Sequence, residues 1–187
     1  MRVALIGYMR SGKSTIAELL EEYLGYTRLS FGTRLKQFAH EVFDVEEGVK
    51  PRKLYQDFGQ HCRQIDPDVW VKWVERDMGD NRLVVIDDLR QPNEYEWAKK
   101  NGFLLFHVRC SDEVRLMRMK NKGEDVDPKL LNHETERHID GYTYDYVLDG
   151  EVSPLESYQA IKWLKLYNEE LNGLVNEVEK YMEEDDE

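Results

Sequence analysis

Residues 7–14 read Gly-Tyr-Met-Arg-Ser-Gly-Lys-Ser, a GxxxxGK[ST] loop. An apolar strand-like run, Val3 to Ile6, precedes it. An amphipathic run, Lys13 to Leu24, follows, with Ile16, Leu19, Leu20 and Tyr23 at helical spacing and Gly25 as its stop. That order is the context in which such a loop cradles phosphate. Gly7 and Gly12 let the backbone turn tightly enough for successive N–H groups to face one anion. The helix that follows presents its positive end to the same anion. Lys13 then reaches the β- and γ-phosphates, and the Ser14 hydroxyl suits Mg²⁺.

The rest of the chain alternates short apolar runs with helical periods, the pattern of a parallel sheet wrapped by helices. Strands are expected at Thr27 to Ser30, Arg82 to Ile86, Phe103 to Val108 and Tyr144 to Leu148. Helices are expected around Leu35 to Val42, Arg52 to Cys62, Pro67 to Met78, Pro92 to Lys100 and Ser111 to Met119, and from Pro154 towards Met182. With 187 residues and no internal repeat or linker, one domain is expected over 1–187. Its fold class is α/β, a three-layer α/β/α P-loop kinase fold. It would have a parallel sheet of about five strands, a helical substrate-binding insertion over 33–80, a short lid over 115–140, and a C-terminal helix with an acidic tail over 154–187.

Charge narrows the partners. The chain has 38 acidic and 26 basic side chains and a formal charge of -12, a field that repels nucleic-acid backbone and anionic membrane. Cys62 and Cys110 lie far apart without a CxxC partner, and Met1 leads directly into a strand without a signal-like segment. A reduced, cytoplasmic setting is expected.

A P-loop needs an acid at the end of a neighbouring strand to position its metal. Asp87 and Asp88 follow Leu-Val-Val-Ile directly, so the expected metal set is Ser14, Asp87 and Asp88. Arg90 lies two residues on, at the strand edge where ligands bind in open α/β sheets. Phosphoryl transfer depends on alignment and cations more than on covalent chemistry, so Lys13, Asp88 and Arg90 form the expected catalytic set. No NKxD-type guanine reader follows a later strand, which disfavours a GTPase. The 33–81 interval holds Arg34, Lys36, Arg52 and Arg63, and the later stretch holds Arg109, Arg115 and Arg118.

Segments 52–59 (Arg-Lys-Leu-Tyr-Gln-Asp-Phe-Gly) with Arg63, 68–71 (Asp-Val-Trp-Val) and 88–94 (Asp-Leu-Arg-Gln-Pro-Asn-Glu) resemble those of the phage-type deoxynucleoside monophosphate kinases. Those enzymes are similar in fold to adenylate kinase and dephospho-CoA kinase, and the resemblance runs from Arg2 to Gly150. It implies ATP and Mg²⁺ as cofactors and a small-molecule nucleotide as substrate. Lys13, Ser14 and Thr15 would hold the ATP phosphates and Mg²⁺, with Asp149-Gly150 bordering adenine; the loop itself adds Gly7, Arg10, Ser11 and Gly12 to the expected ATP set, and the Arg-bearing later stretch adds Arg115 and Arg118. Arg52, Gln56, Arg63 and Trp70 would lie near the acceptor, and Asp88 and Arg90 would face the reaction centre; Arg34 and Lys36, from the basic content of the helical interval, and Glu94 complete the expected acceptor set. It also aligns His133-Glu134-Thr135-Glu136 with an HxSE-like segment, Thr135 replacing Ser. Many relatives carry Asp before a Leu-Lys pair after the second strand; this chain has Thr33-Arg34-Leu35-Lys36.

The expected activity is ATP- and Mg-dependent phosphoryl transfer to a (deoxy)nucleoside monophosphate. The alternatives are a kinase of dephospho-CoA or a nucleoside, a non-catalytic nucleotide-binding regulatory module, and a nucleic-acid 5′-end kinase, which the charge disfavours. Closure of 120–129 is expected to exclude water. A zinc site at His133 and His138 is not expected, because an offset of five turns the imidazoles apart. Tyr55, Phe58, Trp70 and Trp73 recur at helical spacing as core or as a stack for an acceptor base. Leu164, Leu171, Leu174, Val178 and Tyr181 stripe the last helix, whose second half is expected to pair two copies of the chain.

Overall fold

The computed structural model describes residues 1–46, 48–123 and 138–184, with side chains along the last helix described to Glu170. Five strands form one sheet: β1 (Arg2–Ile6), β2 (Thr27–Leu29), β3 (Val84–Ile86), β4 (Phe103–Arg109) and β5 (Tyr146–Asp149). Their order is β2-β3-β1-β4-β5, and every pair is parallel. The helices are α1 (Lys13–Leu24), α2 (Phe31–Phe43), α3 (Arg52–Ile65), α4 (Val69–Met78), α5 (Pro92–Lys100), α6 (Asp112–Asn121) and α7 (Pro154–Glu184). A short 3₁₀ turn, Ile139–Gly141, precedes β5. The expected five-stranded parallel α/β architecture is the observed one, with α2, α3 and α4 inserted between β2 and β3.

β1 is central, and Val3 to Ile6 are all fully buried. A strand covered on both faces reads as a continuous apolar run rather than an alternation. Its side chains nevertheless divide by face. Ala4 and Ile6 join Ile86 and Leu105 against α2, α4 and α5, through Leu35, Trp70, Val74 and Trp97. Val3 and Leu5 join Val85, Phe106 and Val108 against α1 and α7, through Ile16, Leu20, Tyr158 and Ile161. Truncating one such side chain to Ala costs about 2–5 kcal/mol.

Several boundaries differ from the sequence-based expectation, and three of them have a local cause. β3 starts at Val84 because Asn81 Oδ1 accepts the Leu83 N–H (2.9 Å), bending the chain before the ladder. β2 ends at Leu29 because Ser30 leaves the strand to cap α2, its hydroxyl accepting the Gly32 N–H. α4 starts at Val69, after an Asx turn in which Asp66 accepts the Asp68 N–H and Asn93 holds Pro67 and Asp68.

α3 stands apart from the sheet. It packs on α2 and α4, and Gly59 is its one buried residue among those described. A Cβ at Gly59 would lie 2.4 Å from Leu35 Cδ1, so the two helices meet closely there and a larger residue would have to displace the Leu35 side chain. α7 buries Tyr158 and Ile161 while Trp163, Leu166 and Tyr167 face outward. Leu171, Leu174, Val178 and Tyr181, on which the pairing expectation rests, lie outside the described side chains. Among the described residues no helix is long and apolar enough to cross a membrane.

Candidate active site

The loop between β1 and α1 lies at the carboxyl edge of the sheet. Gly12 has φ 111°, and Arg10 adopts the left-handed region at φ 67°. A non-glycine residue there costs roughly 1–2 kcal/mol and persists only where its surroundings hold it. Those surroundings are two arginines from α6. Arg118 donates from Nη1 to the Arg10 carbonyl (3.1 Å) and from Nη2 to Gly150 O (2.7 Å). Arg115, only 2% exposed, donates to the Met9 carbonyl (2.8 Å), pairs with Asp112 (2.7 Å) and lies 4.7 Å over the Tyr8 ring.

Gly7 and Gly150 let the neighbouring strands press against this loop. A Cβ at Gly7 would lie 2.5 Å from Val108 O, and one at Gly150 would lie 2.3 Å from Ser11 O. Lys13 is buried, and its ammonium donates to the carbonyls of Gly7 (2.8 Å) and Tyr8 (2.7 Å). The loop from Gly12 to Thr15, with Arg10, Arg118 and Pro154, lines a cleft of about 330 Å³. A larger cavity of about 650 Å³ lies beside it over the ends of β4 and β5 and shares Tyr8 with the loop. Of the two, the smaller cleft is the one that holds Lys13, Ser14 and the start of α1.

Arg115 therefore departs from the lid role expected of it. Its burial puts it behind the loop, where it fixes the backbone rather than reaching a ligand. Gly150 likewise supports the loop through backbone contact, whereas Asp149 lines the larger cavity with His107 and accepts the Glu151 N–H. Burial, together with the nearby Arg109 and Lys13, lowers the His107 pKa and keeps that imidazole neutral.

The two strand-end acids are already engaged. Asp87, 7% exposed, pairs with Arg28 of β2 at 2.6 Å, and Arg28 also meets Glu18 at 3.3 Å. Asp88 Oδ1 accepts the Phe31 N–H (3.0 Å), while Oδ2 accepts the Gly32 N–H (2.9 Å) and the Ser30 hydroxyl (2.6 Å). Asp88 thus ties the end of β3 to the start of α2. This donor set fits Mg²⁺ through the Ser14 hydroxyl and through water, with the acids as outer partners rather than direct ligands. The loop amides, Lys13 and the cleft fit ATP.

The acceptor-side residues fall into three groups. Arg63, Arg90 and Glu94 come together beyond β3. Glu94, 3% exposed, accepts the N–H groups of Arg90 and Gln91 (both 2.9 Å) and lies 3.8 Å from Arg63 Nη2. Burial is the main cause that raises its pKa to about 7, and the charge of Asp88 adds to it. The Lys36 ammonium and Asp88 Oδ2 both face Gly32, 3.7 and 3.3 Å from its ideal Cβ. Arg52 and Gln56 lie on the exposed side of α3, at the i, i+4, i+11 spacing that ends at Arg63.

Two expected contacts are corrected. Trp70 is 2% exposed, packs by Phe58, and donates Nε1–H to Gly59 O, so its indole belongs to the core and offers no face to a base. Arg34 is held by Asp77 at 2.7 Å and lies over Trp73, which commits it to α4. The expected lid segment 124–129 and His133 to Glu136 lie outside the described residues.

Sequence reasoning missed Arg28, Ser30, Tyr8 and Tyr142. Ser30 carried a usable signal, a serine directly before a helical run. Tyr8 donates to Asp140 (2.6 Å) and Tyr142 donates to the Arg90 carbonyl (3.1 Å). Those partners are 132 and 52 residues away in sequence, so no local pattern announced them.

A family model described as an AAA domain (AAA_18) matches residues 3–139, and the chain belongs to that family. A UPF0200/UPF0201 protein of Archaeoglobus fulgidus is 28% identical over 144 residues, covering 72% of this chain and 43% of the relative. The chain thus spans less than half the length of that relative. A shikimate kinase of Persephonella marina is 28% identical over 137 residues, covering 72% of this chain and 75% of the enzyme. Among solved structures, shikimate kinase from Aquifex aeolicus superimposes with a TM-score of 0.59 at 23% identity, over 91% of this chain and 99% of that one. The fold is that of the P-loop kinases.

Proposed function

We propose that this protein transfers the γ-phosphoryl group of Mg-ATP to a small anionic acceptor, and that the acceptor is a (deoxy)nucleoside monophosphate. The observation that carries this reading is the position of Arg90 just past β3, at the same sheet edge as the phosphate loop, with the Arg63 side chain reaching Glu94 of the turn that follows. A kinase site needs cations on both sides of the transferring group and little else from the protein. The resemblance of 52–63 and 88–94 to the deoxynucleoside monophosphate kinases supports the acceptor class.

The steps follow from this chain's own groups. The loop amides and the N-terminal end of α1 receive the ATP phosphates. Lys13 leaves the Gly7 and Tyr8 carbonyls to follow the β- and γ-phosphates. Arg63 and Arg90 orient the acceptor so that one of its oxygens meets the γ-phosphorus in line. A bond forms from that oxygen to phosphorus, the bond to the β-phosphate oxygen breaks, and ADP leaves. The Ser14 hydroxyl would hold Mg²⁺, which would supply charge neutralisation for the phosphates.

A carboxylate-bearing acceptor is the second reading, favoured by the similarity to a shikimate kinase. It would use the same arginines. The test is ADP release from Mg-ATP with ribo- and deoxyribonucleoside monophosphates, dephospho-CoA, shikimate and no acceptor. Stimulation by a monophosphate, lost in Lys13→Ala, supports the proposal. Stimulation by shikimate alone moves the acceptor class, and ATP binding without any acceptor response sinks the kinase reading.

A further inference from the structure

Glu94 sits where two elements of the acceptor side meet. Its two carboxylate oxygens face different partners. Oε2 takes both backbone N–H groups, those of Arg90 and Gln91, at 2.9 Å each. Oε1 faces Arg63 Nη2 at 3.8 Å. The first set closes the N-terminal turn of α5, a capping-box arrangement. The second reaches across to α3, a helix held to the domain mainly by α2 and α4. Arg63 is one-quarter exposed, so part of its guanidinium remains towards solvent while Glu94 is enclosed.

We infer that Glu94 is a positioning residue with two separable tasks: Oε2 shapes the Arg90 turn, and Oε1 aims the Arg63 guanidinium at the anionic group of the acceptor. The inference deepens the kinase reading and rests on it for the identity of the acceptor. At 3.8 Å the contact is an ion pair rather than a hydrogen bond, and its charge biases the direction in which the guanidinium fork points. Glu94 itself, sealed from solvent, makes no contact with substrate.

The surroundings agree with this division. The charged and titratable groups facing Glu94 are Asp88 from the end of β3, Arg63 from α3, and Tyr142 from the segment before β5. Burial raises the Glu94 pKa to about 7 despite two N–H donors and one arginine. The pairing with Arg63 is therefore complete only when the carboxylate has lost its proton, and the comparison below is made at a pH above that value.

The geometry supplies its own discriminating variant. In Glu94→Gln the amide oxygen keeps the place of Oε2 and both N–H bonds. The amide nitrogen replaces Oε1 and presents a donor to a donor. Glu94→Ala removes both tasks and reports the cap. Acceptor kinetics are measured with dAMP, dCMP, dGMP and dTMP, each titrated singly. The Arg63 Nε–H signal and the amides of Arg90 and Gln91 are followed by ¹⁵N NMR without any acceptor.

The expected result for Glu94→Gln is an acceptor KM raised about tenfold, as for loss of a charge-assisted contact. The KM for ATP stays at its wild-type value, and the melting temperature does not fall, because the neutral amide removes the cost of a buried carboxylate. The Arg63 signal shifts while the amides of Arg90 and Gln91 hold still. Arg63→Ala raises the acceptor KM as well, and the double variant is no worse than Arg63→Ala alone. An unmoved Arg63 signal, or effects that multiply in the double variant, overturns the inference. If none of the four monophosphates is phosphorylated, the nucleotide reading has failed, and the Arg63 signal still decides whether Oε1 holds that side chain.

Discussion

Arg118 joins the phosphate loop to the last strand: Nη1 reaches Arg10 O at 3.1 Å and Nη2 reaches Gly150 O at 2.7 Å. The same guanidinium lines the cleft with Lys13 and Ser14. Arg118→Ala is expected to raise the KM for ATP by about tenfold or more, since charge-assisted bonds to the strained loop are lost. The acceptor KM should barely change. ATP titration at saturating acceptor checks both, and equal effects on the two substrates would contradict this placement.

Asp88 ties β3 to α2 through three donors, which makes it a structural anchor before it is anything else. Asp88→Ala is expected to lower stability by about 1–3 kcal/mol, the cost of a lost helix cap with buried donors left unmet. The Mg²⁺ concentration for half-maximal activity should rise less than about tenfold, as for an outer partner that acts through water. Urea unfolding and a magnesium titration separate these effects. A much steeper metal dependence with unchanged stability would restore Asp88 as a direct ligand.

Gly150→Ala tests the contact between β5 and the loop. Its new methyl would meet Ser11 O at 2.3 Å and Arg109 O at 2.6 Å, both backbone atoms that yield only if the loop moves. A destabilisation of about 1–3 kcal/mol is expected, together with weaker ATP binding, read by calorimetry. A variant with native ATP affinity would mean that the loop tolerates displacement.

Glu94 gives stability a particular pH dependence. Its pKa rises from 4.5 in the unfolded chain to about 7 in the fold. Between those values the folded state keeps a proton that the unfolded chain has released. This contribution is full below pH 4.5 and is lost as pH rises through about 7. Glu94→Gln should flatten that limb, by an amount on the order of 1–3 kcal/mol. Denaturant unfolding at pH 5 and pH 8 reads the difference, and identical slopes in both proteins would contradict the burial argument.

The sheet and the phosphate loop were legible because their signals are local. Val3 to Ile6 read as buried on both faces from four consecutive apolar residues, and Gly12-Lys13-Ser14 declares its own geometry. Roles set by distant partners were not legible. Arg115 and Arg118 lie three positions apart on α6, yet one is sealed behind the loop and the other lines the cleft. The choice depends on where Met9, Tyr8 and Gly150 sit, which periodicity does not encode. Asp88 has the right place for a metal acid, but Ser30 and the N-terminus of α2, 56 to 58 residues away, claim it first. Trp70 carried two readings in one pattern, and its burial decides for packing.

The crossing at Gly59 and Leu35 has an evolutionary consequence. α3 is held mainly by α2 and α4, so its exposed positions Arg52 and Gln56 sit on a different part of the fold from the strands that carry the phosphate loop. The outward face of that helix can therefore drift in sequence while the sheet and the phosphate loop keep theirs.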